Sequence, residues 1–426
     1  MLGFGLFLLL ALIALSLPVA AVLGLVGLLF SNLFSPMPLD LAMGEMFWQS
    51  STEAILVAIP MFILLGEIIL RSGVATKMYN ALAQWLAWLP GGLMHANIGA
   101  CTVFAATSGS SVATAATIGT VALPEMNKYR YNEALYLGTL AAGGTLGILI
   151  PPSINLIIYA MLTDTSVPKL YLAGFVPGFA LAMLFSVTVI IACRFRPKWG
   201  GAPVQTSWAM RIRTLPDLLP PLFIFLLVIG SIYGGLATPT EASSLGVVGA
   251  VILAATNRTL SWQMLRVAFE NAMRINAILM LIIAAATFLN FVISTIGLTQ
   301  QLAEFVQNLG LGKLGTMIAI IIFYILLGCV METFSMMVTT TPLIFPIVVA
   351  LGYDPIWYGI VLVILMEKAL ITPPFGLNLY VIQALRDRGS FNQVIVGSSA
   401  FVIAMLLMIV ALIAFPEIAL WLPSSR

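Results

Sequence analysis

The two halves of this chain carry the same order of residues at a constant separation. Four pairs are identical in type and differ by 222 positions: Pro124 and Pro346, Tyr131 and Tyr353, Tyr136 and Tyr358, and Pro151 and Pro373. A chain with such a duplication builds one structural plan twice. In a very apolar chain, duplication is typical of secondary transporters, which hold their substrate between the repeats near the middle of the membrane. The repeat therefore makes transport the leading interpretation.

The composition indicates a membrane protein. Of the 426 residues, 61% are hydrophobic and only 8% are charged, whereas soluble domains carry about 25% charged residues. The net charge of +2 argues against a nucleic-acid partner. Apolar stretches recur along the chain at Leu2–Phe30, Ala54–Leu70, Val176–Cys193, Leu218–Ile232, Leu279–Ser294, Thr316–Cys329 and Gly397–Ala414. Many approach the roughly 20 residues that span a bilayer, so the sequence predicts an all-α polytopic membrane protein surrounded by lipid.

The first apolar segment and the densest basic segment set the expected topology. No basic residue precedes the run Leu2–Leu17, and hydrophobicity resumes at Val19, so we expect a retained membrane segment split at Pro18 and not a cleaved signal peptide. Basic residues without an intervening acid form the connector between the halves: Arg194, Arg196, Lys198, Arg211 and Arg213. The positive-inside rule predicts that this connector is cytoplasmic. Both termini are then periplasmic if each repeat crosses the bilayer an odd number of times.

Polar residues interrupt one apolar run in each half at corresponding positions. Thr107–Ser111 lies within the run Ile98–Leu123, and Met331–Ser335 lies within the run Ile320–Phe345. Each limb is then about 10 to 15 residues long, which is shorter than the roughly 20 residues that cross a bilayer. We therefore predict two re-entrant helical hairpins that turn near mid-membrane. Non-helical backbone at that depth must be buried in protein or line a wet cavity.

A pair of prolines interrupts a second apolar run in each half. Gly143–Gly147 leads into Pro151–Pro152, and Ala369–Thr372 leads into Pro373–Pro374. Consecutive prolines end a helix because each lacks a backbone donor and clashes with the preceding turn. We predict two discontinuous helices, whose bare carbonyls can bind a cation and whose later N-termini can face an anion. A plain kink, or close packing of small residues, is the alternative for each element taken alone.

An ordered set of motifs then connects the chain to a known family. The segments that carry the likeness are Ser108–Ser111, Gly143–Pro152, Tyr171–Gly178, Thr238–Ala242 and Thr372–Gly376. By these segments the chain resembles the large membrane subunit of tripartite ATP-independent periplasmic (TRAP) transporters. The likeness extends from near residue 18 to near residue 390, which is nearly the whole chain.

The resemblance implies an elevator carrier, in which a transport domain slides across the membrane against a fixed scaffold. It implies sodium-driven import of an organic acid through the bacterial inner membrane, delivery by a periplasmic binding protein, and a small four-helix membrane subunit. Since no segment before Leu2 could hold that subunit, we expect it to be a separate chain. The expected parts are 1–90 (scaffold with arm helix), 91–193 (transport), 194–215 (cytoplasmic connector), 216–310 (scaffold with arm helix) and 311–426 (transport).

The breaks and hairpin tips are where ions and substrate are expected to bind. Neutral carbonyl and hydroxyl oxygens, which these segments provide, suffice for sodium. The expected sodium-binding residues are Ser108, Gly109, Ser110, Gly144 and Gly147 in the first half, and Met331, Glu332, Thr333, Ala369 and Thr372 in the second. The expected substrate-binding residues between the tips are Ser111, Thr114, Ser153, Asn155, Thr339 and Asn378. Sodium is the only metal expected, and no cofactor is expected.

Charged and reactive residues in apolar surroundings bear on the remaining alternatives. Glu332 in the second tip either serves a cation or pairs with Lys368. The chain has one histidine, His95, and its three cysteines lack metal-ligand spacing, so we do not expect an enzyme. The main alternative is a stand-alone sodium-coupled dicarboxylate carrier that needs no binding protein. The sequence leaves open the transported acid, the number of sodium ions and the oligomeric state.

Overall fold

The computed structural model describes residues 2–15 and 17–425, and over these residues the chain is built from helices without a strand. The helices of the first half are α1 (Leu2–Ala14), α2 (Val19–Phe34), α3 (Met43–Thr52), α4 (Ala58–Arg71), α5 (Val74–Leu86), α6 (Leu93–Ser108), α7 (Ser111–Lys128), α8 (Glu133–Leu149), α9 (Ile154–Thr163) and α10 (Val167–Phe195). The connector contains the short helix α11 (Trp208–Thr214). The helices of the second half are α12 (Leu219–Tyr233), α13 (Pro239–Thr256), α14 (Trp262–Thr295), α15 (Leu298–Asn308), α16 (Gly312–Leu327), α17 (Thr333–Ala350), α18 (Pro355–Ala369), α19 (Leu377–Ala384), α20 (Phe391–Ala414) and α21 (Glu417–Ser424). Short 3₁₀ turns lie at Leu39–Ala42, Ala54–Val57, Pro197–Gly200 and Leu215–Leu218.

The long helices have the length and surface of membrane spans. Seven helices in the described part of the chain are long and apolar enough to cross a bilayer, and the bent pair α8–α9 would make an eighth. On α20, Val396, Ile403, Leu407 and Val410 are exposed at spacings of seven, four and three residues, which places them on one helical face. Large apolar side chains in such a stripe favour hydrocarbon over water, so this face is suited to a membrane environment.

Helical hairpins form at both polar interruptions. Helices α6 and α7 are joined by Gly109, which has a φ of 61°, and by Ser110, whose hydroxyl accepts a hydrogen bond from the Ala113 amide at 3.4 Å. A left-handed residue at the end of a helix favours glycine, which has no Cβ to clash. Helices α16 and α17 are joined through residues 328–332, and Glu332 caps α17. The two predicted hairpins are therefore present.

The hairpin limbs are longer than the sequence analysis expected. Helices α6 and α16 have 16 residues each, and α7 and α17 have 18 each, whereas the apolar runs suggested about 10 to 15. The reason is that polar residues at the outer ends, such as His95 and Asn97, continue the helix although they end the apolar run. An 18-residue helix is about 27 Å long, so limb length alone is no argument for re-entry.

Both proline pairs, each joined by a cis peptide bond, break their helices as predicted. Helix α8 ends at Leu149 and α9 begins at Ile154, and their axes differ by 43°. Helix α18 ends at Ala369, and α19 begins at Leu377. Proline has no N–H to continue the helical ladder. The backbone between the half-helices therefore forms other contacts, which differ between the two repeats.

The two repeats are interlocked through their half-helices. Helix α9 of the first repeat packs against α17 of the second hairpin, and α19 of the second repeat packs against α7 of the first hairpin. The rings of Tyr159 in α9 and Phe345 in α17 meet edge to face, 6.2 Å apart. On the other side, a Cβ on Gly119 of α7 would lie 2.8 Å from the Leu385 side chain, so this helix approaches the end of α19 closely. Such an exchange is what inverted repeats produce.

The remaining long helices form a second group. Helix α14 packs on α2 and α4, and α13 packs on α4 and α12. Glu67 accepts hydrogen bonds from Arg71 at 2.5 Å and from Asn271 at 3.2 Å, which joins α4 to α14. Helix α5 follows α4 across Gly73, and α15 follows α14 across Gly297, both with a φ of 74°. These are the elements that the sequence analysis expects to form the scaffold and its arm helices.

Candidate functional site

The first hairpin tip lies against the first break through glycines. A Cβ added to Gly147 would lie 2.6 Å from the carbonyl oxygen of Ser110, and one added to Gly109 would lie 3.0 Å from that of Pro152. Only glycine permits two backbones to approach this closely. Of the residues predicted for the first sodium site, Gly109, Ser110 and Gly147 therefore lie together.

Backbone carbonyls at the first break lack hydrogen-bond donors. In a helix the carbonyls of Gly147 and Ile148 would accept from the N–H groups four residues later, but those positions are Pro151 and Pro152. No donor from the described residues reaches the carbonyls of residues 147–150. The break itself is fully buried. Buried carbonyls are destabilising unless a hydrogen-bond donor or another ligand binds them. They are suitable ligands for a cation.

Hydroxyl groups of the first hairpin bond to one another across the tip. The Ser108 and Thr114 hydroxyls are 2.9 Å apart, and Thr114 also donates to the carbonyl of Ser110 at 2.7 Å. Gly144 lies behind the tip, where a Cβ would be 2.6 Å from Ala115 and 3.0 Å from the Asn378 amide nitrogen. The structure thus brings Ser108 to the tip, whereas Gly144 packs against Ala115 of the second hairpin limb and against Asn378 of α19.

A carboxyl group from the second repeat reaches the first hairpin. Glu367 of α18 is completely buried, and its Oε2 accepts a hydrogen bond from the Ser111 hydroxyl at 2.6 Å. The same hydroxyl lies 3.4 Å from the carbonyl oxygen of Thr145. The other carboxyl oxygen, Oε1, has no partner among the described residues. The sequence analysis did not assign Glu367 to a site, although an acidic residue inside an apolar run was the available signal.

Asn378 of α19 joins the same region from the second repeat. Its amide nitrogen donates to the carbonyl of Ala141 in α8 at 3.0 Å, while its Oδ1 is buried without a partner in the described chain. Asn378 is fully buried. With Ser111 and Thr114, it forms one cluster on the side of the first hairpin.

The second hairpin tip is organised by a carboxylate cap. Glu332 accepts from the amides of Phe334 at 2.9 Å and Ser335 at 3.1 Å, and from the Ser335 hydroxyl at 2.8 Å. Acidic residues are favoured here because the helix N-terminus is positive. Among the described residues Glu332 forms no ion pair with Lys368, and its bonds are to Thr333, Phe334 and Ser335 of its own tip. The reason is local: the first turn of α17 offers donors closer than the lysine.

The second break contacts its own tip but is more open. A Cβ on Gly328 would lie 2.7 Å from that of Ala369, so tip and break are in contact. Pro373 and Pro374 are exposed. Here the backbone bonds to itself, with donors to the carbonyls of Ala369 from Thr372 at 3.1 Å, of Leu370 from Asn378 at 3.0 Å, and of Thr372 from Gly376 at 3.0 Å. The Thr372 hydroxyl donates to the Lys368 carbonyl at 2.7 Å.

Asn155 belongs to the side of the second hairpin. Both side-chain atoms of its amide are buried without a partner in the described chain, and α9, on which it lies, packs against α17. On α17, Thr339 donates to the carbonyl of Ser335 at 2.7 Å. Ser153 caps α9 by accepting from Leu156 at 3.3 Å. Ser153 follows Pro152, whose carbonyl oxygen lies against Gly109, so Ser153 borders the first tip, whereas Thr339 lies on α17.

Comparison with known sequences identifies the family. The sequence profile of the tripartite ATP-independent periplasmic transporter, DctM component, matches residues 6–418. The chain belongs to this family. This TRAP large permease is 32% identical to the C4-dicarboxylate TRAP transporter large permease protein of Vibrio cholerae, over 96% of this chain and 94% of that protein. It is 35% identical to the corresponding protein of Pseudomonas aeruginosa, over 94% and 93%.

Other relatives of the permease extend the range of named substrates. The ectoine/5-hydroxyectoine TRAP transporter large permease protein of Ruegeria pomeroyi is 32% identical, over 90% of each chain. A solved structure, that of the Alcanivorax borkumensis YdaH transporter, is similar with a TM-score of 0.57 and covers 90% of this chain and 88% of its own. At 15% identity this likeness concerns the fold alone. The permease is therefore a multi-span membrane protein of a transporter family.

Proposed function

We propose that this permease is a sodium-coupled importer of a small organic acid anion in the bacterial inner membrane. It works with a periplasmic substrate-binding protein and with a separate small four-helix membrane subunit. The observation that carries the proposal is that three polar side chains at or beside the breaks are buried with unpartnered atoms. Asn155, Glu367 and Asn378 each have a buried side-chain atom without a hydrogen bond in the described chain. Buried polar atoms of this kind call for a bound ion or molecule.

Sodium in this proposal occupies one site in each repeat. The first site is formed by Ser108, Gly109, Ser110, Gly144 and Gly147, and the second by Met331, Glu332, Thr333, Ala369 and Thr372. The donor-free carbonyls of residues 147–150 support the first site. The contact between Gly328 and Ala369 supports the second, because it holds tip and break side by side.

The substrate anion is proposed to lie between the hairpin tips and the half-helices, near Ser111, Thr114, Ser153, Asn155, Thr339 and Asn378. All of these except Thr339 lie in or next to the first turn of a half-helix or of a second hairpin limb, and helix N-termini favour negative charge. The names of relatives refer to C4-dicarboxylates, ectoine, isethionate and sialic acid. These names support a small polar substrate, and we propose an acid among the candidates.

Transport in this proposal is an elevator motion. The moving body contains the hairpins, the broken helices and the helices that follow them, α6–α10 and α16–α21, and the fixed scaffold contains α1–α4 and α12–α14. The arm helices α5 and α15 link the two bodies. Gly73 and Gly297 precede the arms, both with a φ of 74°. Glycine changes backbone conformation at lower cost than other residues, which suits a hinge.

Uptake into proteoliposomes tests the proposal. The permease is reconstituted with its small subunit, and sodium, membrane potential and binding protein are varied one at a time with labelled C4-dicarboxylate, isethionate, ectoine and sialic acid as candidates. We expect uptake of one of these to require both a sodium gradient and the binding protein. Uptake unaffected by omitting both would refute the proposal. Uptake that needs sodium but no binding protein would favour the stand-alone carrier.

A further inference from the structure

The two repeats differ in the negative charge that each can offer a cation. The acidic residues within 91–193 are Glu125, Glu133 and Asp164. They lie at or just beyond the outer ends of α7, α8 and α9, away from the first break. The second repeat, in contrast, has Glu332 in its tip. The hairpin and broken helix that surround the first break therefore offer a cation no counter-charge, and Glu67, on the neighbouring α4, is already paired with Arg71.

Glu367 brings a carboxyl group from the second repeat to this break. Its hydrogen bond to the Ser111 hydroxyl is 2.6 Å long, and that hydroxyl also faces the carbonyl of Thr145. Ser111 directly follows Ser110, whose carbonyl oxygen lies against Gly147. The carboxyl group is therefore adjacent to the backbone oxygens proposed for the first sodium site.

No positive side chain neutralises this carboxyl group. Glu367 forms no ion pair with any described residue, and its buried Oε1 has no donor. Lys368 follows it in sequence, but successive residues of a helix point about 100° apart.

A second unpartnered oxygen lies along the same stretch of α8. Asn378 is held by its bond to the Ala141 carbonyl, and its Oδ1 has no donor within the described chain. Ala141 and Thr145 are one helical turn apart, or about 6 Å along the axis. An oxygen without a donor is suited to bind a cation.

We propose that Glu367 of the second repeat is the counter-charge for sodium bound in the first repeat. This inference rests on the proposed sodium coupling. A charge buried at membrane depth needs a partner, and the Glu367 carboxylate supplies it when sodium is bound, with Ser111 fixing its direction. Glu367 also lies two residues before Ala369 of the second proposed site. Sodium binding in one repeat is thereby linked to the backbone that forms the site in the other.

Sodium-dependent thermal unfolding tests the assignment apart from transport. The permease is purified with its small subunit, and its Tm is followed while sodium replaces choline at constant ionic strength. An ion that binds only the folded state raises the Tm. Glu367→Gln keeps the size of the side chain and an acceptor for Ser111 but removes the charge. We expect it to raise the sodium concentration for half-maximal stabilisation about 10- to 100-fold.

Control variants separate the outcomes. Glu125→Gln removes a negative charge from the outer end of α7, where Glu125 pairs with Lys128 at 3.0 Å, and it should leave the sodium response unchanged. If Glu367→Gln and the unmodified permease need the same sodium concentration for half-maximal stabilisation, the assignment is overturned. If that variant does not fold, Ser111→Ala replaces it, with a smaller increase expected, and an unchanged midpoint there is equally decisive. An unmodified permease without any sodium response would instead refute sodium coupling itself.

Discussion

The two repeats carry the same proline pair, yet the backbone carbonyls at the two breaks differ in their hydrogen bonding. The first pair is buried, and the carbonyls of residues 147–150 have no donor from the described chain. The second pair is exposed, and the backbone around it is hydrogen-bonded to itself. For example, the backbone N–H of Asn378 donates to the Leu370 carbonyl at 3.0 Å. The same motif therefore leaves bare oxygens in one repeat and few in the other.

The spacing after the prolines contributes to this difference. Asn155 follows Pro152 by three positions, whereas Asn378 follows Pro374 by four. The longer second segment turns back, so the backbone N–H of Asn378 bonds to the Leu370 carbonyl at the end of α18. In the shorter first segment, the Ser153 hydroxyl caps α9 directly. A proline pair thus determines where a helix ends, and the following residues determine which oxygens stay free.

Among the substitutions compared between the repeats, Gly147→Ala should cause the largest loss of sodium-dependent uptake and of stability. Its Cβ would lie 2.6 Å from a backbone oxygen of the first tip, which cannot swing away as a side chain can. We expect loss of sodium-dependent uptake and a destabilisation of about 1–3 kcal/mol, measured by transport and thermal unfolding. Gly328→Ala, which meets the Ala369 methyl group at 2.7 Å, should have a smaller effect. Gly230→Ala has open space and is the control; equal effects at all three positions would contradict the contact.

Ser111→Ala compared with Thr333→Ala tests the link between the repeats. Ser111 and Thr333 correspond at the 222-residue separation, but only Ser111 bonds to the opposite repeat. Removing its hydroxyl leaves a buried carboxyl group without its donor, which is expected to lower the free energy of unfolding by about 1–3 kcal/mol. The Thr333 hydroxyl makes only a 3.3 Å contact with Glu332, so its loss should matter less. A chemical-denaturation comparison in which Thr333→Ala is the more damaging variant would count against this account.

Glu332→Ala compared with Asp354→Ala separates a cap from a cation site. Both acids cap a helix of the second repeat, Asp354 by accepting from Ile356 at 2.8 Å and Trp357 at 3.0 Å. Each substitution should lower stability by about 1 kcal/mol through loss of the cap. Only Glu332→Ala should also raise the sodium concentration needed for uptake. The same sodium titration for both variants would restrict Glu332 to capping.

Thr372→Ala is expected to have the smallest effect. Its hydroxyl donates to the Lys368 carbonyl at 2.7 Å and is only partly buried, so the change in unfolding free energy should stay below about 0.5 kcal/mol. A modest weakening of sodium dependence is expected if the hydroxyl contributes to the second site. A sodium titration identical to that of the unmodified permease would leave that site to backbone carbonyls and Glu332.

Local residue chemistry made much of the fold predictable. Two prolines in succession end a helix in any surroundings, and Gly109 adopts the left-handed turn between α6 and α7. These signals predicted both breaks and the turn at the first hairpin tip. The lengths of the limbs were underestimated, because the helices run through polar residues such as Asn97 that ended the apolar runs.

Residue chemistry was sufficient to predict where the membrane helices break and which family the motifs resemble, since both depend on neighbouring residues. Which groups meet across the breaks depends on how the distant helices pack. Ser111 and Glu367 are 256 positions apart, and nothing near either residue specifies the other. Their contact results from the packing of the two repeats against each other, which also places Asn155 on a helix against the second hairpin and Asn378 on a helix against the first. Helix termination is a short-range property of the backbone, whereas the partner of a buried polar group is set by packing.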